Sequence, residues 1–252
     1  MRKPIIVGNW KMFTNLEQAT QIISTLKEET KDVTDIEIGV CPPYVYLAPV
    51  KDLVKNSHIN FGAQNMHWEK EGAFTGEISP VMLKNLKCNY VIIGHSERRH
   101  VFGETDNMLN KKAKSALEEN LTVIFCIGEL LEERQEEKTE TVLRRQIELG
   151  LDSLTEKQMK NIIIAYEPVW AIGTGKTATP QQAQETHSFI RKFISSEFSE
   201  QVAQDIRIIY GGSVKPGNIE ELSAQPDLDG TLVGGASLKA DSFKEIITNY
   251  KT

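Results

Sequence analysis

Eight short runs rich in apolar and β-branched residues recur along the chain, at residues 4–10, 36–42, 59–64, 89–95, 121–129, 161–168, 205–212 and 230–235. Within each, apolar positions follow one another almost without interruption instead of alternating with polar ones. That pattern suits parallel strands covered on both faces. Most of the intervals carry a second pattern. Residues 16–30 place Leu16, Ala19, Ile22, Ile23 and Leu26 at the 3.6-residue period of an amphipathic helix, and residues 106–120 and 180–198 behave alike. The last of these has a defined start: Thr179 is placed to cap it, Pro180 suits its first turn, and Gln182 completes a capping box. The interval between the second and third runs is shorter, and the pattern does not define its element. Strand and helix alternating eight times predict an α/β fold, a (β/α)8 barrel formed as one domain by residues 1–252. A doubly wound open sheet is the alternative, disfavoured by eight strands with no long break and no GxGxxG turn. No linker, sequence repeat or low-complexity stretch marks a second domain. The charge-rich residues 132–146 read as the solvated face of a helix.

Composition narrows the class of partner. The 252 residues, 40% hydrophobic and 25% charged, suit one large domain that buries roughly three quarters of its surface. A net charge of −6 argues against nucleic acid or an anionic membrane as the partner, so an anionic substrate must be drawn in by local positive groups. Cys41, Cys88 and Cys126 form an odd set without a CxxC pair, each in an apolar run. They are expected to be buried thiols in a reducing compartment, the cytoplasm. The first residues, MRKPIIVGNWK, contain only a three-residue apolar run, unlike a secretory signal, and no stretch approaches membrane-spanning length.

In such a barrel the C-terminal ends of the strands carry function. Here the first strand ends in Asn9 and Lys11, and the fourth in His95 followed by Ser96, Glu97 and Arg98. The sixth ends in Glu167, the seventh in Gly211, Gly212 and Ser213, and the eighth in Gly234 and Gly235. Taken singly, such a lysine, glutamate or histidine is most often a solvated or structural group. A base, an imidazole, an ammonium and two glycine-rich turns on one rim point instead to one site, because unrelated surface groups would scatter over both rims. The five histidines contain no HExxH spacing, and His95 with His100 is a poor helical ligand pair, so no metal is expected.

The segment EPVWAIGTGKT, residues 167–177, ends like a nucleotide-binding P-loop. A P-loop requires a further glycine five residues before the one that precedes its lysine, and that position is Trp170. A moving lid fits better. Pro168 stiffens one end, Ala171, Gly173 and Gly175 give a flexible middle, and Thr177 and Ala178 close the other end. Val169, Trp170, Ala171 and Ile172 are then suited to seal a site from water, and the amide of Gly173 to bind a phosphate oxygen.

The segments NWK (9–11), GHSERR (94–99), AYEPVWAIGTGK (165–176), YGGSV (210–214) and VGGASL (233–238) resemble, in order and spacing, the signature segments of the triosephosphate isomerase family. The resemblance covers the whole chain, with no departure at a motif position. It implies a TIM barrel that interconverts dihydroxyacetone phosphate and D-glyceraldehyde 3-phosphate, in glycolysis and gluconeogenesis, without a cofactor. It implies Glu167 as general base, His95 as the electrophile, and Lys11 as the cation that steadies substrate charge, with Asn9 beside it. Glu97 is implied as a carboxylate near Lys11, and Gly173, Ser213, Gly234 and Gly235 as the phosphate grip. The chemistry accounts for these residue types. A carboxylate moves a proton between adjacent carbons, the enediolate intermediate gathers charge on oxygen, and each positioned donor stabilises that charge by about 3–4 kcal/mol. Ser96 opens a short helix whose amides are expected to bond one ring nitrogen of His95, leaving a neutral imidazole to donate from the other. Glycine turns let backbone amides approach the phosphate. A closed, dry site keeps the enediolate from expelling phosphate.

Residues 64–80 follow the third strand with little helical period, a long loop carrying Met66, Trp68 and Phe74. The resemblance implies that this loop inserts into a second subunit of a homodimer, with Thr75 near the partner's active site and Met12 in the interface. Two other readings remain. One is a different phosphate-binding barrel enzyme, such as a sugar-phosphate epimerase, for which metal ligands at several strand ends are expected and not seen. The other is a catalytically inactive barrel used for binding, against which the presence of Glu167, His95 and Lys11 stands.

Overall fold

The structure, a computed structural model, describes residues 2–172 and 177–251. Its strands are β1 (Ile5–Asn9), β2 (Glu37–Cys41), β3 (Ile59–Ala63), β4 (Tyr90–Ile93), β5 (Thr122–Ile127), β6 (Ile162–Tyr166), β7 (Arg207–Tyr210) and β8 (Gly230–Val233). Each lies inside one of the eight apolar runs. All pair in parallel in sequence order, and β8 returns to β1 to close the barrel, so that Ile5 sits opposite both Glu37 and Gly230.

Closure explains the near-continuous apolar runs. Ile5, Val7, Tyr90, Ile92, Ile124 and Cys126 pack with Ile163, Ala165, Ile209 and Leu232 in one interior cluster. Their alternate neighbours, such as Ile6, Val91, Val123, Phe125, Ile162 and Ile164, pack with the helices in a second layer. Both faces of each strand are therefore buried. Helix Leu16–Glu29 is capped by Asn15 in a box with Gln18 and buries Ala19, Ile22, Ile23 and Leu26. Helix Pro180–Glu197 starts at Thr179 with the Gln182 box that its sequence pattern predicts. The undefined interval after β2 holds a 3-10 turn, Tyr44–Tyr46, and a short helix, Leu47–Leu53. All three cysteines are free and buried. No helix among the described residues is long and apolar enough to cross a membrane.

One stretch differs from its sequence reading. Residues 132–146 are not one solvated helix but parts of two, Leu131–Gln135 and Thr139–Gly150. The first ends where Glu137 turns left-handed at φ 56°. Lys138 N–H then donates to Glu133 O at 2.8 Å and Glu137 N–H to Arg134 O at 3.1 Å, the paired bonds of a Schellman end. A glutamate in place of the usual glycine hid that stop. Gln146, at the far end of the stretch, is buried and clasps both the N–H and the C=O of Gly128 beyond β5, at 2.8 and 3.0 Å.

Candidate active site

Strand alternation delivers two of the predicted residues directly. Ile5 and Val7 point into the barrel, so Asn9 continues the inward row of β1; Ile163 and Ala165 do the same for Glu167 just past β6. Both side chains are buried, Glu167 to 2% exposure. On β4 the inward row is Tyr90 and Ile92, which would put His95 out of step. Gly94 corrects this by turning at φ 77°, a left-handed conformation that costs an L side chain but not glycine. His95 then lies buried on the rim and caps the short helix Ser96–His100.

His95 and Glu167 meet there. His95 Nε2 is 3.1 Å from Glu167 Oε1, and Ser96 N–H donates to Glu167 Oε2 at 2.8 Å. Glu97 N–H donates to His95 Nδ1 at 3.2 Å, which makes Nδ1 the acceptor and leaves the ring proton on Nε2. The Glu97 carboxylate is 3.5 Å from Nδ1, too long to compete as a hydrogen bond. Below Glu167 lies the Cys126 thiol, whose pKa burial, and then the nearby Glu167 carboxylate, push well above the usual range.

Lys11 holds a left-handed φ of 51°. Asn9 Oδ1 accepts its N–H at 3.0 Å, and Gln64 Nε2 donates both to its C=O at 2.9 Å and to Cys41 O at 2.8 Å. Its ammonium reaches Glu97 Oε1 at 2.7 Å. Glu97 is half exposed, so this pair contributes at most about 1 kcal/mol; its effect is to fix where the charge sits. A cavity of about 470 Å³ opens among Asn9, Lys11, His95 and Glu167, and Ser213, Gly234 and Gly235 also line it. Gly234 sits beside Lys11: a Cβ built on it would stand 3.6 Å from Lys11 Cε. Ser96 and Glu97 touch these groups from behind. Gly173 lies outside the described residues. Among the described residues, no three His, Cys, Asp or Glu side chains stand close enough to hold a metal ion.

The segment after Glu167 is described as far as Ile172 and again from Thr177. Val169–Ala171 form a 3-10 turn, Ala171 is fully buried, and of the four apolar residues suited to seal the site only Ile172 lines the cavity. Trp170 is tied down instead. Its indole N–H donates to Glu129 Oε1 at 2.8 Å, and Arg134 stacks on its ring at 4.9 Å while pairing with the same carboxylate. Tyr166 O–H donates to Glu129 as well, at 3.1 Å. Glu129 and Gln64 were missed in the sequence, although each ends a strand run and the rule that singled out Glu167 reaches both. Lys215 and Lys239, two further cations on the cavity wall, follow glycine turns and left no pattern of their own.

The long loop's apolar residues divide between this chain's own core and its surface. Met66 is buried in this chain's own core, and Trp68 is half-buried beneath Lys111. His67 stacks between Trp68 and Phe74, at 4.2 and 4.3 Å. Phe74, Thr75 and Met12 are exposed, Met12 to 93%.

Comparison with known proteins places the chain in a family. Residues 4–250 match the family model described as triosephosphate isomerase. The chain belongs to the triosephosphate isomerase family. Curated relatives of that name include one from Geobacter metallireducens, 55% identical with both chains covered in full, and one from Carboxydothermus hydrogenoformans, 54% identical over 98% of each. A third, from Clostridium botulinum, is 54% identical over 99% of this chain and all of its own. Family membership thus extends over the strands that carry all of the rim residues.

Proposed function

We propose that this chain interconverts dihydroxyacetone phosphate and D-glyceraldehyde 3-phosphate through an enediolate, as an intramolecular aldose–ketose isomerase. The observation that carries the reading is the convergence of Glu167, His95 and Lys11 on one cavity that two glycine turns also line. Glu167 acts as the base. Its oxygens now rest on Ser96 N–H and His95 Nε2, so it reaches the substrate by swinging off the Ser96 amide. It takes a proton from the hydroxyl-bearing carbon of dihydroxyacetone phosphate and returns it to the neighbouring carbon, while the hydroxyl proton passes, by way of His95 Nε2, to the former carbonyl oxygen. The C=C bond of the enediolate forms in the first step and is consumed in the second. The His95 Nε2–H, held in that tautomer by the Glu97 amide, donates to the oxygen where charge gathers. Lys11, with Asn9 behind it, balances the charge of the phosphate and the enediolate. Backbone amides at Gly173, Ser213, Gly234 and Gly235 grip the phosphate, and the segment after Glu167 closes over it.

Exposed apolar groups around the loop, with Met12 at 93% and Phe74 at 44%, support a homodimer in which Thr75 approaches the partner's site. A stable, fully active monomer in light scattering at micromolar concentration would refute that assembly. The cytoplasm is the compartment that suits three free, buried thiols. The activity is tested by following conversion of glyceraldehyde 3-phosphate by the purified chain with no nucleotide or metal added. Rapid conversion supports the reading; a folded protein without turnover overturns it.

A further inference from the structure

Ser237 is fully buried beside the cavity, yet it does not line it. It sits in the 3-10 turn Gly235–Leu238 that follows β8. Its backbone N–H and its hydroxyl both donate to one acceptor, the carbonyl of Gly234, at 2.8 and 2.7 Å. That carbonyl shares a planar trans peptide with the N–H of Gly235, and in such a unit the C=O and N–H point in opposite directions. With the Gly234 oxygen drawn back toward Ser237, the Gly235 N–H points the opposite way, away from Ser237, and Gly235 is one of the residues that line the cavity. As the first amide of its turn, that N–H has no partner within the turn and is free to donate outward. The neighbouring strand leaves room for the clasp: a Cβ built on Gly8 of β1 would stand 2.9 Å from Ser237 Cβ and 3.1 Å from its Oγ.

We propose that Ser237 is a positioning residue for anion binding, aiming the Gly235 amide at the substrate's phosphate by holding the Gly234 carbonyl from behind. The proposal rests on the isomerase reading above for the identity of the substrate. Its chemistry, a phosphate oxygen accepting from the Gly235 amide, can be read without turnover.

The test is Ser237→Ala, which removes one of two bonds to the Gly234 oxygen and leaves the backbone donor and the fold in place. Affinity for inorganic phosphate is measured by 31P NMR titration, alongside kinetics on glyceraldehyde 3-phosphate and on phosphate-free D-glyceraldehyde. The expected result is a roughly three- to tenfold weaker phosphate affinity, the factor that one lost hydrogen bond carries. KM for the phosphorylated substrate rises by a similar factor, kcat stays within about twofold, and turnover of D-glyceraldehyde is unchanged. Unchanged phosphate affinity overturns the proposal. So does an equal loss on both substrates together with a lower melting temperature, which marks a merely structural serine. Wild-type protein that binds phosphate but turns over neither substrate refutes the isomerase reading, while the effect of S237A on phosphate affinity still decides the role of Ser237.

Discussion

Replacing Glu104 by glutamine removes a single negative charge from a buried cluster that ties the long loop to the barrel. Glu104 and Lys112 are 3% and 4% exposed, and their Oε1 and Nζ are 2.6 Å apart. Arg98 meets the same oxygen at 2.8 Å through Nε and 2.6 Å through Nη2. Lys112 also donates to Asn65 Oδ1 at 2.8 Å, at the root of the loop. Arg98 is about a third exposed and can rehydrate when the charge is lost; Lys112 cannot. Leaving one partner of a buried pair uncompensated costs about 3–5 kcal/mol. For a chain of this size that corresponds to a fall in Tm of about 8–15 °C, read at fixed protein concentration because association couples to unfolding. The pH dependence isolates the cause. Burial already lowers the pKa of Lys112, and Glu104 opposes that shift. In E104Q the opposing charge is gone, so the folded protein sheds the Lys112 proton at a lower pH than the unfolded chain does. The unfolded state then binds more protons, and stability rises with pH. The deficit of E104Q against wild type is expected to shrink as pH is raised from 7 toward about 10. A Tm within about 2 °C of wild type at pH 7, or a deficit that does not change with pH, refutes the reasoning.

Three other expectations follow from the same geometry. Gly94→Ala forces a side chain into the left-handed turn, with its Cβ 3.0 Å from Leu109 Cδ1. About 1–2 kcal/mol of stability and at least tenfold in kcat are expected to be lost as His95 is re-aimed; wild-type kcat with unchanged Tm contradicts this. His187 is fully buried against Tyr166 and Tyr210, near Arg191, Asp227 and Asp229, and burial lowers its pKa to about 4. The unfolded chain takes up that proton first, so up to about 3 kcal/mol of stability is lost as pH falls from about 6.5 to about 4. Melting curves of H187Q are expected to be flatter over that window, and identical slopes would remove His187 from the account. Ser213→Asp sets a carboxylate where the substrate phosphate is proposed to bind; KM is expected to rise about 100-fold or more from like-charge repulsion, and an unchanged KM shows that the side chain is not in the grip.

What the sequence disclosed and what it hid differ by physical cause. The eight strands were legible because burial on both faces writes itself as an apolar run, and the helix start at Thr179 because a cap is a local pattern. Glu167, His95 and Lys11 stood out because strand ends of a barrel are the positions where polar residues gather. Gln64 and Glu129 also end strand runs, but what they hold, like what Gln146 holds, is brought to them only by folding, and a short pattern carries no trace of that. Gln146 clasps Gly128, 18 residues earlier, and Glu129 holds the indole of Trp170, 41 residues later. Met66 was expected to avoid water, and it does so in this chain's own core, because an apolar residue in a long loop reads alike whether it faces its own core or a partner's. The helix break at Glu137 escaped notice because a left-handed glutamate leaves none of the signal that glycine would.

The role of Glu167 is the central claim, and Glu167→Asp tests it most directly. Removing one methylene keeps the carboxylate and draws it back from the reacting carbons by more than about 1 Å, a displacement that costs on the order of 100-fold when a catalytic group must be in contact. Steady-state kinetics on glyceraldehyde 3-phosphate are expected to show kcat lowered by about that factor or more, with KM changed far less. A variant that turns over as fast as wild type would contradict the assignment of Glu167 as the base.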